Sequence, residues 1–197
     1  TLFSSLGVDY AVWPMSDQAV ATRVMTAQGE LAFQHYFVRE RCEPHVTAIR
    51  FDGAEQALAV PAALNYLRDP DLAGVIICPS NPFLSAAPIV AIAELRAALE
   101  ACAAPVVAVS PLVEGAAIKG PTAKIMNELG MTGNATAVAQ HYGALIDGFI
   151  LDQRDAALTV EIATSNLAVI TAQTIMNTLD DRIDLAHTAI QFLHKLS

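Results

Sequence analysis

From residue 46 onward, short apolar, β-branched runs alternate with amphipathic stretches of helical length. The runs at 46–51, 74–78, 106–110, 148–151 and 167–170 predict strands. The stretches at 54–67, 88–102, 122–129, 135–146, 153–163 and 181–195 predict helices. Strands separated by helices of this length imply crossover connections and a mainly parallel sheet covered on both faces. The run Val75-Ile-Ile-Cys78 has no polar position, which suits a strand buried on both sides. The expectation is a Rossmann-like α/β fold.

The first 45 residues read differently. Ala21-Thr-Arg-Val-Met-Thr26, a turn near Gly29 and then Glu30-Leu-Ala-Phe33 predict a β-hairpin, with a helical turn over 34–41 that stops before Pro44. Residues 1–45 are therefore expected as an accessory segment, and 46–197 as the α/β core. A doubly wound domain usually opens with a strand and a glycine-rich turn, and neither precedes Pro14. The expectation is the C-terminal part of a longer protein.

Composition narrows the class. Hydrophobic residues make up 54% and charged residues 16%, which fits a buried sheet and excludes a disordered chain. A net charge of −9 with no basic stripe gives no footprint for nucleic acid. The most apolar stretch, 86–113, is broken by Glu94, Arg96, Glu100 and Pro105, so it predicts a helix then a strand, not a membrane span. Cys42, Cys78 and Cys102 are odd in number without CxxC spacing, as expected of reduced, mostly buried thiols in a cytoplasmic protein.

Two strand-to-loop-to-helix corners carry candidate chemistry. Lys119 and Lys124, two of the three lysines, lie in Ile118-Lys-Gly-Pro-Thr-Ala-Lys-Ile125, after the run Pro105-Val-Val-Ala-Val-Ser-Pro111. Gly120 before Pro121 marks a helix start, where the helix dipole disfavours cations unless an anion lies among them. Backbone N–H groups with these lysines would make a phosphate site; two solvated surface lysines are the alternative. The earlier corner, Gly74-Val-Ile-Ile-Cys-Pro-Ser-Asn-Pro-Phe-Leu-Ser85, offers Ser80, Asn81 and Ser85 either to a ligand or to the caps of a turn. Ligands of open α/β sheets bind beyond the carboxyl ends of the strands, so both loops are expected to face one crevice.

Three segments together resemble the 2-phospho-L-lactate transferase family of deazaflavin coenzyme F-420 biosynthesis. They are Trp13-Pro-Met-Ser-Asp17 with Thr22, Pro79-Ser-Asn-Pro-Phe83 with Ser85, and Val107-Ala-Val-Ser-Pro111 leading to Ile118-Lys-Gly-Pro121. Phe33-Gln34 with Tyr36-Phe-Val38, His141-Tyr142, and Asp152 with Asp155 add shorter matches. The resemblance implies transfer of a phospho-lactyl or phospho-enolpyruvyl group from a guanosine-diphosphate-linked donor to the terminal ribityl hydroxyl of a deazaflavin. GMP would leave, and Mg2+ is the expected cofactor. Donor binding is expected at Ser80, Asn81, Pro82, Ser85, Ser110, Lys119, Gly120 and Lys124. Acceptor-side candidates are Met15, Ser16, Asp17 and Thr22, although Asp17 could merely cap the following turn. A homodimer is expected, because a sheet left without a neighbouring strand exposes an apolar edge.

The chain departs from that family in places. Val113-Glu-Gly-Ala-Ala117 stands where the family has a glycine pair and lysine, and Glu114 would repel a diphosphate unless it faces solvent or metal. The family's first glycine-rich loop and its early acidic residues are absent. The alternative is a non-catalytic nucleotide-binding regulator of the gluconeogenesis-factor type. Those relatives read Gly-Pro-Gly-Ser where this chain has Cys78-Pro-Ser-Asn81 and lack its Lys-Gly-Pro, so both differences favour the transferase.

Overall fold

The computed structural model describes residues 5–118, 120–163 and 166–197. Strand β1 (Ala21–Thr26) turns through Ala27 and Gln28 into β2 (Gly29–Ala32), with Val24 opposite Leu31. Thr26 closes the turn: its hydroxyl donates to the Gly29 carbonyl at 2.8 Å and accepts from Gln28 N–H at 3.2 Å. The stretch expected as a helical turn is one π-helical turn, His35–Arg39. The chain then reverses through Arg41 and Cys42, both at positive φ, into β3 (Val46–Asp52).

The sequence counted 46–51 in the parallel core; instead β3 pairs antiparallel with β1, giving a three-stranded sheet in the order β2-β1-β3. The reason is visible across the pair. Arg23 lies opposite Arg50, and Asp52 accepts hydrogen bonds from both, from Arg23 Nε at 3.0 Å and from Arg50 Nε at 2.6 Å. A strand with such a charged face suits a sheet wet on one side.

The parallel sheet contains β4 (Val75–Ile77), β5 (Val106–Val109), β8 (Gly148–Asp152) and β9 (Ala168–Ala172), in the order β4-β5-β8-β9. A two-stranded hairpin, β6 (Leu112–Val113) with β7 (Ala116–Ala117), interrupts the crossover from β5 to β8. Every residue of β5 and β8 is buried. β4 was expected to be buried on both sides, but it is an edge strand whose three residues are only half-buried. An apolar run reports burial on two faces and says nothing about strand order.

Alternation along these strands divides the core. Val106, Ala108, Phe149 and Leu151 face one side, with α4 (Thr122–Glu128) and α5 (Ala135–Tyr142) supplying Ile125, Met126 and Val138. Val24, Tyr36 and Val46 bring the antiparallel sheet onto the same cluster. Val107, Val109 and Ile150 face the other side, where α7 (Leu179–Leu196) contributes Leu185, Ala189, Phe192 and Leu193. A capping box between Thr178 and Asp181 starts that helix. The short α6 (Thr159–Ile162), which precedes β9 in the chain, adds Ile162 to the first cluster.

Three expected helices are shorter or broken, and in one of them, 153–163, a 3-10 stretch over Gln153–Leu158 kinks at Asp155 before the short α6. The stretch 54–67 is helical only over α1 (Pro61–Leu67), because Val60, preceding proline, is held extended at φ −61°, ψ 125°. The stretch 88–102 divides into α2 (Ala87–Val90), preceded by the π-turn Pro82–Ala86, and α3 (Ala93–Glu100); the two arms meet at 89°. The break falls at Ile92, which leaves the helix to bury its side chain with Leu64, Leu95 and Ala98. Among the described residues, no single helix is long and apolar enough to cross a membrane.

Candidate functional site

The loops after β4 and β5 leave the sheet at its carboxyl edge and meet in a cleft of about 150 Å³. Ser80 and Asn81 come from the first loop and Ser110 and Ile118 from the second; buried Thr122, which opens α4, adds a third wall. Pockets that enclose a whole small ligand commonly measure roughly 300–1,000 Å³, so this cleft accommodates a part of one.

Asn81 is the most constrained polar group in it. Its Oδ1 accepts from Phe83 N–H at 2.9 Å and Leu84 N–H at 3.0 Å, capping the π-turn Pro82–Ala86. Flipping the amide would set its own N–H groups against those two donors, so the orientation is determined. Nδ2 is buried and has no hydrogen-bond partner among the described residues. A buried donor left unpaired costs roughly 1–3 kcal/mol. Ser110, 2% exposed, uses its hydroxyl locally, donating to the Leu112 carbonyl at 3.0 Å and accepting from Leu112 N–H at 3.2 Å.

The other donor-side candidates among the described residues lie off the cleft lining. Lys119 lies outside the described residues. Gly120 takes the left-handed φ of 75° that lets the chain turn into α4, which starts at Thr122, as the 122–129 stretch predicts, with Pro121 at its N-cap and not inside the first turn. Lys124 is turned away: its Nζ pairs with Glu128 Oε1 at 2.6 Å, donates to the Pro44 carbonyl at 3.0 Å and lies 5.9 Å over the Tyr36 ring. Burial raises the Glu128 pKa, but hydrogen bonds from Lys124 and Val46 N–H overcome it and leave the net value below normal. Pro82 is buried in the π-turn, while Ser85 is exposed on it and donates its N–H to the Asn81 carbonyl at 2.9 Å.

None of the acceptor-side candidates lines the cleft. Ser16 is buried and donates to the Leu58 carbonyl at 2.7 Å while accepting from Gln18 N–H at 3.1 Å. Met15 packs on the cluster around Ile92, Asp17 is exposed, and Thr22 lies opposite Phe51 on β1. His141 stacks on Phe83, centroids 4.5 Å apart.

Glu114 does not confront the cleft. It forms the β6–β7 turn with Gly115, both at positive φ, and its exposed carboxylate pairs with Arg154 at 3.4 Å. Its N–H donates to the Asp155 carboxylate at 3.0 Å. The thiols also differ from expectation, since Cys78 is exposed and Cys42 and Cys102 are half-buried. Cys78 directly follows the half-buried edge strand, which leaves it uncovered.

Sequence reasoning missed Thr174 and Met176, which reach the cleft from beyond β9. It quoted Asp152 but gave it no role. Asp152, fully buried at the end of β8, accepts from Arg154 N–H at 3.0 Å, Thr174 N–H at 2.9 Å and Thr174 Oγ1 at 3.0 Å. Burial alone would raise its pKa; those donors outweigh it and keep the group ionised. The rule that ligands gather beyond strand carboxyl ends pointed to the loop after β9 as much as to the other two.

Magnesium at phosphate sites is usually held by one or two carboxylates together with the substrate's own oxygens. The described residues lining the cleft include no carboxylate, and Asp152 spends its oxygens on three protein donors. No cluster of three or more metal-ligating side chains occurs among the described residues. The described walls therefore do not fit a resident magnesium ion.

The sequence model of the family 2-phospho-L-lactate transferase CofD matches residues 1–183. The chain is 34% identical over 194 residues to a 2-phospho-L-lactate transferase of Methanopyrus kandleri, covering 97% of this chain and 60% of that one. It is 38% identical over 155 residues to a 2-phospho-L-lactate transferase of Haloarcula marismortui, covering 79% of this chain and 45% of that one. A phosphoenolpyruvate transferase of Streptomyces griseus is 32% identical over 188 residues, covering 93% of this chain and 58% of that one. The chain thus spans about 60% or less of the length of these relatives. In fold it is similar to the crystal structure of a UPF0052 family member from Bacillus halodurans, with a TM-score of 0.57 at 11% identity, covering 94% of this chain and 63% of that one.

Proposed function

Because the chain belongs to the 2-phospho-L-lactate transferase CofD family, we propose that it acts in transfer of a phospho-lactyl or phospho-enolpyruvyl group to a deazaflavin. The donor is linked to guanosine diphosphate, and the acceptor is the terminal ribityl hydroxyl. That hydroxyl oxygen forms a bond to the phosphorus bearing the lactyl or enolpyruvyl group. The anhydride P–O bond breaks, GMP leaves with its electron pair, and the hydroxyl proton is released.

The observation that carries this reading is the meeting of the β4 and β5 loops around Asn81, whose buried Nδ2 lacks a partner among the described residues. A diphosphate oxygen is an acceptor that such a donor would satisfy. Transfer of this kind depends mainly on positioning and charge neutralisation, with no side-chain nucleophile required. Small polar residues on rigid strand ends meet the positioning demand. Lys119, next to Ile118 of the cleft, is the cation suited to the charge.

The test is incubation of the purified protein with each guanosine-diphosphate-linked donor and a deazaflavin carrying a ribityl chain, following GMP and product mass. Equimolar GMP and phospho-deazaflavin product are expected with one donor or both. Binding of GDP without release of GMP from either donor, under conditions where a relative of this family turns over, would overturn the catalytic reading.

A further inference from the structure

A further wall of the cleft, beyond β9, has a problem of reach. In the order β4-β5-β8-β9, two strand spacings separate β9 from β5, on the order of 10 Å. Yet Thr174 and Met176, which follow β9, line the same cleft as Ser80 and Ser110. The chain must cross back over the end of β8 before α7 descends onto Val107, Val109 and Ile150. Asp152, the last residue of β8, stands at that crossing and grips Thr174 through both its N–H and its hydroxyl. The far end of the segment is secured by the Thr178–Asp181 capping box.

We propose that Asp152 is a positioning residue for donor binding: through Thr174 it holds residues 174–176 over the sheet edge as a wall of the cleft. The proposal rests on the donor reading above. Asp152 does not touch the donor; it acts through Thr174. Its remaining contact, from Arg154 N–H, ties the start of the segment after β8 to the same carboxylate. Met176, 37% exposed, is the apolar face that this anchor presents to the ligand.

Three variants separate anchoring from general stability. Thr174→Val keeps the side-chain shape but removes the hydroxyl donor; Thr174→Ser restores it; Asp152→Asn replaces one carboxylate oxygen with a donor that faces existing donors. Each would be titrated calorimetrically with GDP, and amide hydrogen exchange of 174–176 measured alongside. Thr174→Val is expected to bind GDP about tenfold more weakly, the scale of one hydrogen bond to a charged group. Its amides at 174–176 should exchange faster, while Thr174→Ser stays within about twofold of the parent in affinity. Asp152→Asn should weaken binding at least as much as Thr174→Val. If the parent protein binds GDP and Thr174→Val binds it equally well, or Thr174→Ser is as weak as Thr174→Val, the anchor is refuted. If the parent protein itself fails to bind GDP, the donor reading falls, and this proposal with it.

Discussion

Asn81 allows the fold and the ligand to be perturbed separately. Its Oδ1 caps the turn Pro82–Ala86, whereas its Nδ2 is a donor without a partner among the described residues. Asn81→Asp keeps a capping oxygen, since aspartate serves as well as asparagine at such positions. It replaces the free donor with negative charge. Losing one hydrogen bond to a charged phosphate removes roughly 1.5–3 kcal/mol. Repulsion adds to this: unit charges 4 Å apart at an effective dielectric of 20 interact by about 4 kcal/mol. Taking only about 3 kcal/mol of the combined loss gives a fall in GDP affinity of about two orders of magnitude. Asn81→Ala makes the opposite separation. It loses the cap, worth about 0.5–2 kcal/mol, so the melting temperature should fall by roughly 1–8 °C for a chain of this size. Its affinity should fall about tenfold, without the repulsive part. The assay is calorimetric titration with GDP beside thermal unfolding of both variants. An Asn81→Asp protein that binds GDP like its parent would refute the assignment of Nδ2 to the donor.

Lys124→Ala should leave GDP affinity within about twofold, because its ammonium is committed to Glu128 and the Pro44 carbonyl. The same pair predicts a pH dependence. Glu128 has a depressed pKa in the folded protein, so its contribution is present above the ordinary glutamate value, about 4.3, and is lost as pH falls through the lower folded value. Urea unfolding between pH 6 and pH 3, on the order of these pKa values, should show a smaller acid loss in Glu128→Gln than in the parent; equal losses would contradict this. Lys119→Ala should weaken GDP binding about tenfold with an unchanged melting temperature, as one charge-assisted bond to phosphate predicts, and calorimetry giving the parent affinity would remove that lysine from the site. Gly148→Ala should lower the melting temperature by several degrees, since its new Cβ would lie 2.7 Å from Phe192 and 2.9 Å from Val107, and overpacking costs about 1–3 kcal/mol.

Much of the fold was legible because burial on both faces leaves unbroken apolar runs, as in Val106–Val109 and Phe149–Leu151. Strand order was not, because an edge strand such as β4 carries the same composition as a central one. β3 was misplaced because its pairing depends on Asp52 meeting Arg23 of β1, a long-range contact. At the site, the loops containing Ser80, Asn81 and Ser110 were identified from their places after strands. The Lys124 assignment weighed its nearness to a helix start over Glu128 four residues on, a pairing that helical spacing already offered. Thr174 and Met176 carry no motif; only the crossing over β8 brings them to the cleft.

The most direct test is a crystal structure of the protein with GDP. The predicted result is a diphosphate within hydrogen-bond distance of Asn81 Nδ2, between the loop carrying Ser80 and the loop running from Ser110 to Ile118. A nucleotide lodged instead in the 570 Å³ cavity beside Gln140 and Glu161, at the opposite edge of the sheet, would contradict it.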